Sequence, residues 1–205
     1  MSHSITLTGG DGKLPKKPYI DVLFERVSGM LDTVTGPYNA AGEWCLVSSH
    51  LSKSQLPKAK ETLAFLVEAN ETFSFLRPQY EEATRPATVE DIKSEMQVLI
   101  GSRANGGVGD VRIFGRMLGE DVGAAQPPVG ALEKACNTLR RTHVHMPAIA
   151  EVLGQIRVEQ KMLEAWGYMA SKLPERIERL RDLIEKTEAD LARSGDRVPL
   201  PEAAE

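Results

Sequence analysis

Between Thr88 and Arg157 the chain carries four consecutive apolar stretches at helical spacing, each opened by a start signal, and this series constrains the fold more than any other feature. Thr88 stands three residues before Asp91, a capping-box-like arrangement in which the hydroxyl accepts an orphan backbone N–H of the first turn. Val89, Ile92, Met96 and Leu99 then share one face, and Gly101 suits the left-handed residue after a last turn. Asp110 can cap the next stretch, whose Val111, Phe114, Leu118 and Val122 line up opposite Arg112, Arg116 and Glu120. Pro127 and Pro128 open a third with Val129, Leu132, Cys136 and Leu139 inward, and Pro147 opens a fourth with Ile149, Val152, Leu153 and Ile156 inward. Burying each large side chain contributes about 1.5 to 3 kcal/mol before entropy costs, enough in sum to hold a small bundle.

Upstream, residues 1 to 17 hold Gly9, Gly10, Gly12, Lys13, Lys16 and Lys17 with little to bury, which predicts a mobile arm. Residues 18 to 87 read as an N-terminal helical region. Ile20, Leu23, Val27, Met30, Leu31 and Val34 keep helical spacing until Gly36 and Pro37 end the run. From Tyr38 to Ser54 no period dominates, and Glu43 to Val47 fits either a short helix or an extended piece. A second helix opens near Pro57, turns Leu63, Leu66 and Val67 inward, and continues or bends through Phe73 and Leu76 until Pro78 stops it. Arg85 and Pro86 mark a boundary, so that 18–80 and 88–157 form either one helical domain or two small packed units.

Beyond Arg157 the pattern becomes a seam of Leu163, Trp166, Ala170, Leu173, Ile177, Leu180, Ile184 and Leu191 in alternating steps of three and four, a heptad run. Glu175 with Arg179, and Asp182 with Lys186, place acid four residues before base on the exposed side of the same helix. Pro174 either kinks this helix or opens a new one capped by Ser171. The helix is expected over 158–192, with residues 193–205 as a flexible tail. The seam either packs onto the chain's own bundle or joins copies through residues 156–191. The expected fold is therefore all-α, a helical bundle with a long C-terminal heptad-patterned helix.

Composition bounds the partners. A formal charge of -4 and a pI near 5.7 give no long-range attraction to nucleic acid or an anionic membrane, so any such contact is local. No run approaches the ~18 apolar residues of a membrane span, and the first ten residues lack the apolar core of a secretory signal, which predicts a cytoplasmic protein. Cys45 and Cys136 sit among apolar or small neighbours without metal-ligand spacing and read as reduced core thiols.

No motif supplies catalytic chemistry. His143 and His145 follow Cys136 and precede Glu151, but neither a HExxH run nor paired Cys/His spacing is present, and histidines between helices are usually solvated. The Gly101–Gly109 stretch lacks the Lys-Ser/Thr of a phosphate loop and reads as a flexible connector. Ser, His and Asp occur without a frame that would set up acyl transfer. No metal and no cofactor is expected, and the chain reads as a non-enzymatic interaction protein. Arg140 and Arg141 form a positive patch that either complements a helix C-terminus or meets phosphate or an acidic partner. With Arg176, Arg179, Ile177, Leu180 and Ile184 of the last helix they are the candidate partner-binding residues.

The segments Asp110–Val122, Leu132–Arg141 and Met146–Leu153 resemble the phage replicative helicase loader/inhibitor family, in which short helices lead to a Pro-x-Ile-Ala-Glu-like helix start such as Pro147 to Glu151 here. The likeness spans about 70 of the 205 residues. It implies a small helical adaptor that binds the ring-shaped, hexameric replicative helicase, holds it inactive and delivers it to origin DNA with a phage initiator. It implies no active site, and helicase recognition through the region after the compact domain, here the helix and tail beyond Arg157. The chain departs from the family by residues 18–80 and by an ordered C-terminal helix. Two competing readings are a coiled-coil assembly protein that oligomerises through 156–191, and a small DNA-binding regulator using Arg140 and Arg141; the acidic balance and the lack of a helix-turn-helix signal weigh against the latter.

Overall fold

The computed structural model describes residues 17–47, 49–102 and 110–195. The fold is all-α: α1 (Lys17–Val47), α2 (Leu56–Thr84), α3 (Val89–Gly101), α4 (Val111–Ala125), α5 (Val129–Thr142) and α6 (Ile149–Gly195). Residues 1–16 of the expected arm (1–17), 103–109 of the glycine connector (101–109) and 196–205 of the tail lie outside the described residues, while Lys17 opens α1 and Gly101 closes α3.

Both proline stops expected near the N-terminus are overridden. α1 runs for 31 residues through Gly36 and Pro37, and Glu43 to Val47 is its last part. Pro37 forfeits the N–H that the Thr33 carbonyl would accept, a cost of about 3 kcal/mol. Val34, Tyr38 and Ala41 are nevertheless buried on the same side as Ile20, Leu23, Phe24 and Val27, and their packing outweighs that loss. α2 likewise passes Pro78 and ends at Thr84, because Tyr80 and Ala83 still have neighbours to pack against beyond it.

The start signals hold. Thr88 Oγ1 accepts from the Asp91 N–H at 3.2 Å while Asp91 Oδ2 accepts from the Thr88 N–H at 2.9 Å, a complete capping box. Asp110 Oδ1 accepts from the Arg112 and Ile113 N–H groups at 2.9 and 3.3 Å. Gly101 is the last helical residue of α3 and not a left-handed cap; the left-handed position falls at Gln126, after α4, with φ 46°. Val89 and Val111, expected inward, are 75% and 48% exposed.

The largest difference concerns α6. It extends unbroken for 47 residues, ~70 Å at 1.5 Å per residue, through both Arg157 and Pro174 and on past Arg193. The fourth expected helix and the heptad helix are one element. Ser171 does not cap a new helix: its hydroxyl donates back to the Tyr168 carbonyl at 2.8 Å. Glu175 and Arg179 form the expected ion pair at 2.7 Å.

Two hydrophobic cores hang on this helix. Val152 and Ile156 near its start pack with Ile92, Met96 and Leu99 of α3, Leu118 and Val122 of α4, and Leu132, Cys136 and Leu139 of α5. Further along, Leu163, Trp166, Leu173, Ile177, Leu180 and Ile184 close a three-helix bundle with α1 and α2. α2 runs antiparallel to α6, since Lys60 pairs with Glu188 near one end and Tyr80 lies on Gly167 near the other.

α5 also touches both cores. Ala131 joins the three-helix bundle, and Gly130 lets α5 approach the end of α2 so closely that a Cβ there would stand 2.7 Å from the Ala83 Cβ. Beside that approach an isolated antiparallel bridge joins the two chain crossings, the Ala87 N–H donating to the Pro127 carbonyl and the Val129 N–H to the Arg85 carbonyl, each at 2.9 Å. Asp21 of α1, 6% exposed, accepts from Lys134 of α5 at 3.0 Å and from Arg141 at 2.6 Å. This buried carboxylate with its two cationic partners thus ties α1 to α5.

Candidate functional site

The residues singled out for partner contact have mostly intramolecular duties. Ile177, Leu180 and Ile184 are 5%, 0% and 5% exposed, buried against α1 and α2. This corrects their reading as a partner-facing seam: heptad spacing marks a buried stripe, and here the chain's own helices cover it. Leu191, at 37%, is the seam residue that emerges.

The arginines divide. Arg140 donates to Asn137 Oδ1 one turn back, and Arg141 reaches Asp21 while its side chain stays 68% exposed. Arg176 crosses to α1, its guanidinium 4.7 Å from the centre of the Tyr38 ring, a cation–π contact. Gly42 makes that crossing possible, because a Cβ at that position would collide with the guanidinium. Arg179 pairs with Glu175 along α6. Burial pushes the nearby Cys45 thiol up, with Arg176 and Arg179 pulling it the other way. Neither cysteine is in a disulfide, and Cys136 is fully buried.

Arg85, read as a boundary residue, instead organises the entry to α3. Its guanidinium bonds Asp91 Oδ2 at 2.6 Å and Oδ1 at 3.3 Å and reaches Glu82 at 2.8 Å. The bond from Arg85 holds the Asp91 carboxyl far below the usual carboxylate range, the Thr88 bonds adding to it and burial opposing. Asp91 thus serves the helix cap and the α2 terminus together.

Among the described residues no three His, Cys, Asp or Glu side chains converge as metal ligands. His143 shares a hydrogen bond with the Thr142 hydroxyl at 3.0 Å and His145 is exposed, well apart in environment from the buried Cys136. No described helix is long and apolar enough to cross a membrane.

The outer face of α4 carries two half-exposed apolar side chains. Leu118 and Val122 bury one side of this helix, and on the other side Ile113 and Met117, one turn apart, are 50% and 49% exposed. The signal lay in the sequence: Ile113 and Met117 share their side with Arg116 and Glu120, which the amphipathic pattern assigns to water. Leu118 and Val122 of α4, Leu132, Cys136 and Leu139 of α5, and Val152 of α6 share one core. Compared with known protein families, curated proteins and solved structures, the chain matches none.

Proposed function

We propose that this chain is a non-enzymatic adaptor that binds a replicative helicase ring and loads or restrains it, with the outer face of α4 as the contact. The observation that carries the reading is the half-exposed pair Ile113 and Met117 on a helix whose opposite side is fully committed to the core. Exposed apolar side chains on a short, well-anchored helix suit a partner groove. The resemblance of Asp110–Leu153 to helicase loaders supplies the partner. Such an adaptor acts through differential affinity for helicase states, so its output is a shift in their populations.

Ile177, Leu180 and Ile184 are buried against α1 and α2, so the proposed contact does not use the seam. A truncation at Arg157 would remove the α6 stripe that closes the three-helix bundle, so loss of binding would report unfolding. The informative variant is Ile113→Glu with Met117→Glu in the full chain. Tagged protein is expected to retain purified hexameric helicase, more strongly in one of the ATP-bound and ATP-free states, and the double variant to weaken capture at least ~10-fold with unchanged thermal unfolding. Absence of capture in both nucleotide states overturns the loader role, and a stable oligomer in light scattering would then favour the assembly protein.

A further inference from the structure

α4 keeps one long side free of the fold. It packs on α3 and on α6, and Leu118 and Val122 commit one side of it to the core. At about 100° per residue, Ile113, Arg116, Met117, Glu120 and Ala124 all lie within ~60° of the line opposite those two. All five are exposed. The charges are ordered along the helix: Arg112 and Arg116 stand in its first half and Glu120 and Asp121 in its second, with no acid in the first half and no base in the second. Arg116 and Glu120, each 71% exposed, approach one another only to 4.0 Å, a loose pair that leaves both groups able to take other partners.

Such a face is complementary to itself. Under a two-fold axis that crosses the helix near Leu118, a second α4 runs antiparallel and sets its Glu120 against Arg116 and its Arg116 against Glu120. The same operation lays Ile113 on the second copy's Ala124 and brings the two Met117 side chains together, so the half-exposed apolar pair gains an apolar partner. Parallel pairing has none of this. It would oppose each charge to its own copy and align the two helix dipoles in the same direction.

We propose that two copies of the chain associate through the outer faces of α4, antiparallel, and that this pairing shields Ile113 and Met117. The pairing stands by itself, whereas its consequence for helicase capture rests on the reading given under Proposed function. Two helices of 15 residues, each ~22 Å long, bury less than the ~1,200 Å² of a stable complex. Association is therefore weak and reversible, with a Kd above ~1 µM, and the chain hides its contact face only where it is concentrated.

Analytical ultracentrifugation of the full chain without helicase, from about 1 to 500 µM, tests the pairing. The mass is expected to rise from one copy towards two over this range. Arg116→Glu and Glu120→Arg, both at 71% exposed positions, should each weaken the dimer at least ~5-fold with unchanged thermal unfolding, because each turns two attractions into two repulsions. An equimolar mixture of the two variants, or both changes in one chain, should restore it to within ~2-fold. A single copy at every concentration overturns the proposal. So does a dimer that neither variant weakens, or a mixture that fails to recover, since that dimer uses another surface. Failure of the helicase reading looks different: capture is then absent while the charge-dependent dimer persists. Where helicase is captured, capture per chain should fall as the dimer forms, and a dimer captured as readily as the monomer overturns the shielding.

Discussion

Replacing Asp21 by Ala should destabilise the fold by about 2–3 kcal/mol, and the estimate follows from how the three charges sit. The Lys134 side chain is 18% exposed, 3.0 Å from a carboxylate that is 9% exposed, and its ammonium lies 6.0 Å from the centre of the Phe24 ring. Removing one partner of a fully buried pair costs about 3–5 kcal/mol because the other charge is stranded. Lys134 keeps some access to water, and Arg141, 68% exposed, returns to solvent at little cost, so the upper part of that range does not apply. For a chain of this size the loss corresponds to a fall in Tm of about 5–10 °C. Urea and thermal unfolding followed by circular dichroism would measure it. The decisive comparison is Asp21→Leu with Lys134→Met, which removes both charges from the α1–α5 contact and should return to within about 1 kcal/mol of the parent. A loss below about 0.5 kcal/mol for Asp21→Ala, or a double variant no more stable than the single, refutes the account of a stranded ammonium.

Three further outcomes are expected. Ile177→Asp should lower Tm sharply, by the equivalent of about 4 kcal/mol or more, while light scattering gives the parent's mass; a reduced mass in a folded variant would mean that the seam also joins copies. Because the folded Asp91 carboxyl is held below its unfolded value, its contribution is complete above about pH 5 and disappears as pH falls through and below the unfolded carboxylate range. Asp91→Asn should therefore be less stable than the parent at pH 7, by about 1–3 kcal/mol, with the gap closing towards pH 2–3; a pH-independent gap would show that the charge is not responsible. Gly130→Ala should destabilise by about 1–3 kcal/mol, since the new methyl meets both the Cβ and the backbone of Ala83; Ala83→Gly on that background relieves only the Cβ clash and should recover part of the loss.

Local signals in the chain were readable wherever their cause is local. Thr88 with Asp91, and Asp110, announce helix starts because a side chain three residues away can satisfy an orphan N–H whatever the tertiary structure. Pro37 and Pro78 misled for the complementary reason. A proline's local cost is fixed, but the side chains beyond it, Tyr38 and Ala41, Tyr80 and Ala83, repay it only through partners distant in sequence. The seam shows the same division: its face was legible from spacing, its covering helices were not, since an internal and an intermolecular stripe have one period. Of the candidate surface, Ile113 and Met117 stood on the polar side of an amphipathic pattern and could have been noticed.

The sharing of α6 by both cores sets a schedule for synthesis. A ribosome releases α1 to α5 first, yet Val152 and Ile156, which finish one core, and Leu163 to Ile184, which finish the other, come from α6, made after all of them. At synthesis rates of about 5–20 residues per second, the apolar faces of α1 and α2 wait several seconds for their lid. Neither core can therefore be completed while the nascent chain lacks α6. The interval before α6 emerges is when chaperones have most to bind, and a chain stalled within α6 would present both unfinished apolar faces to proteases.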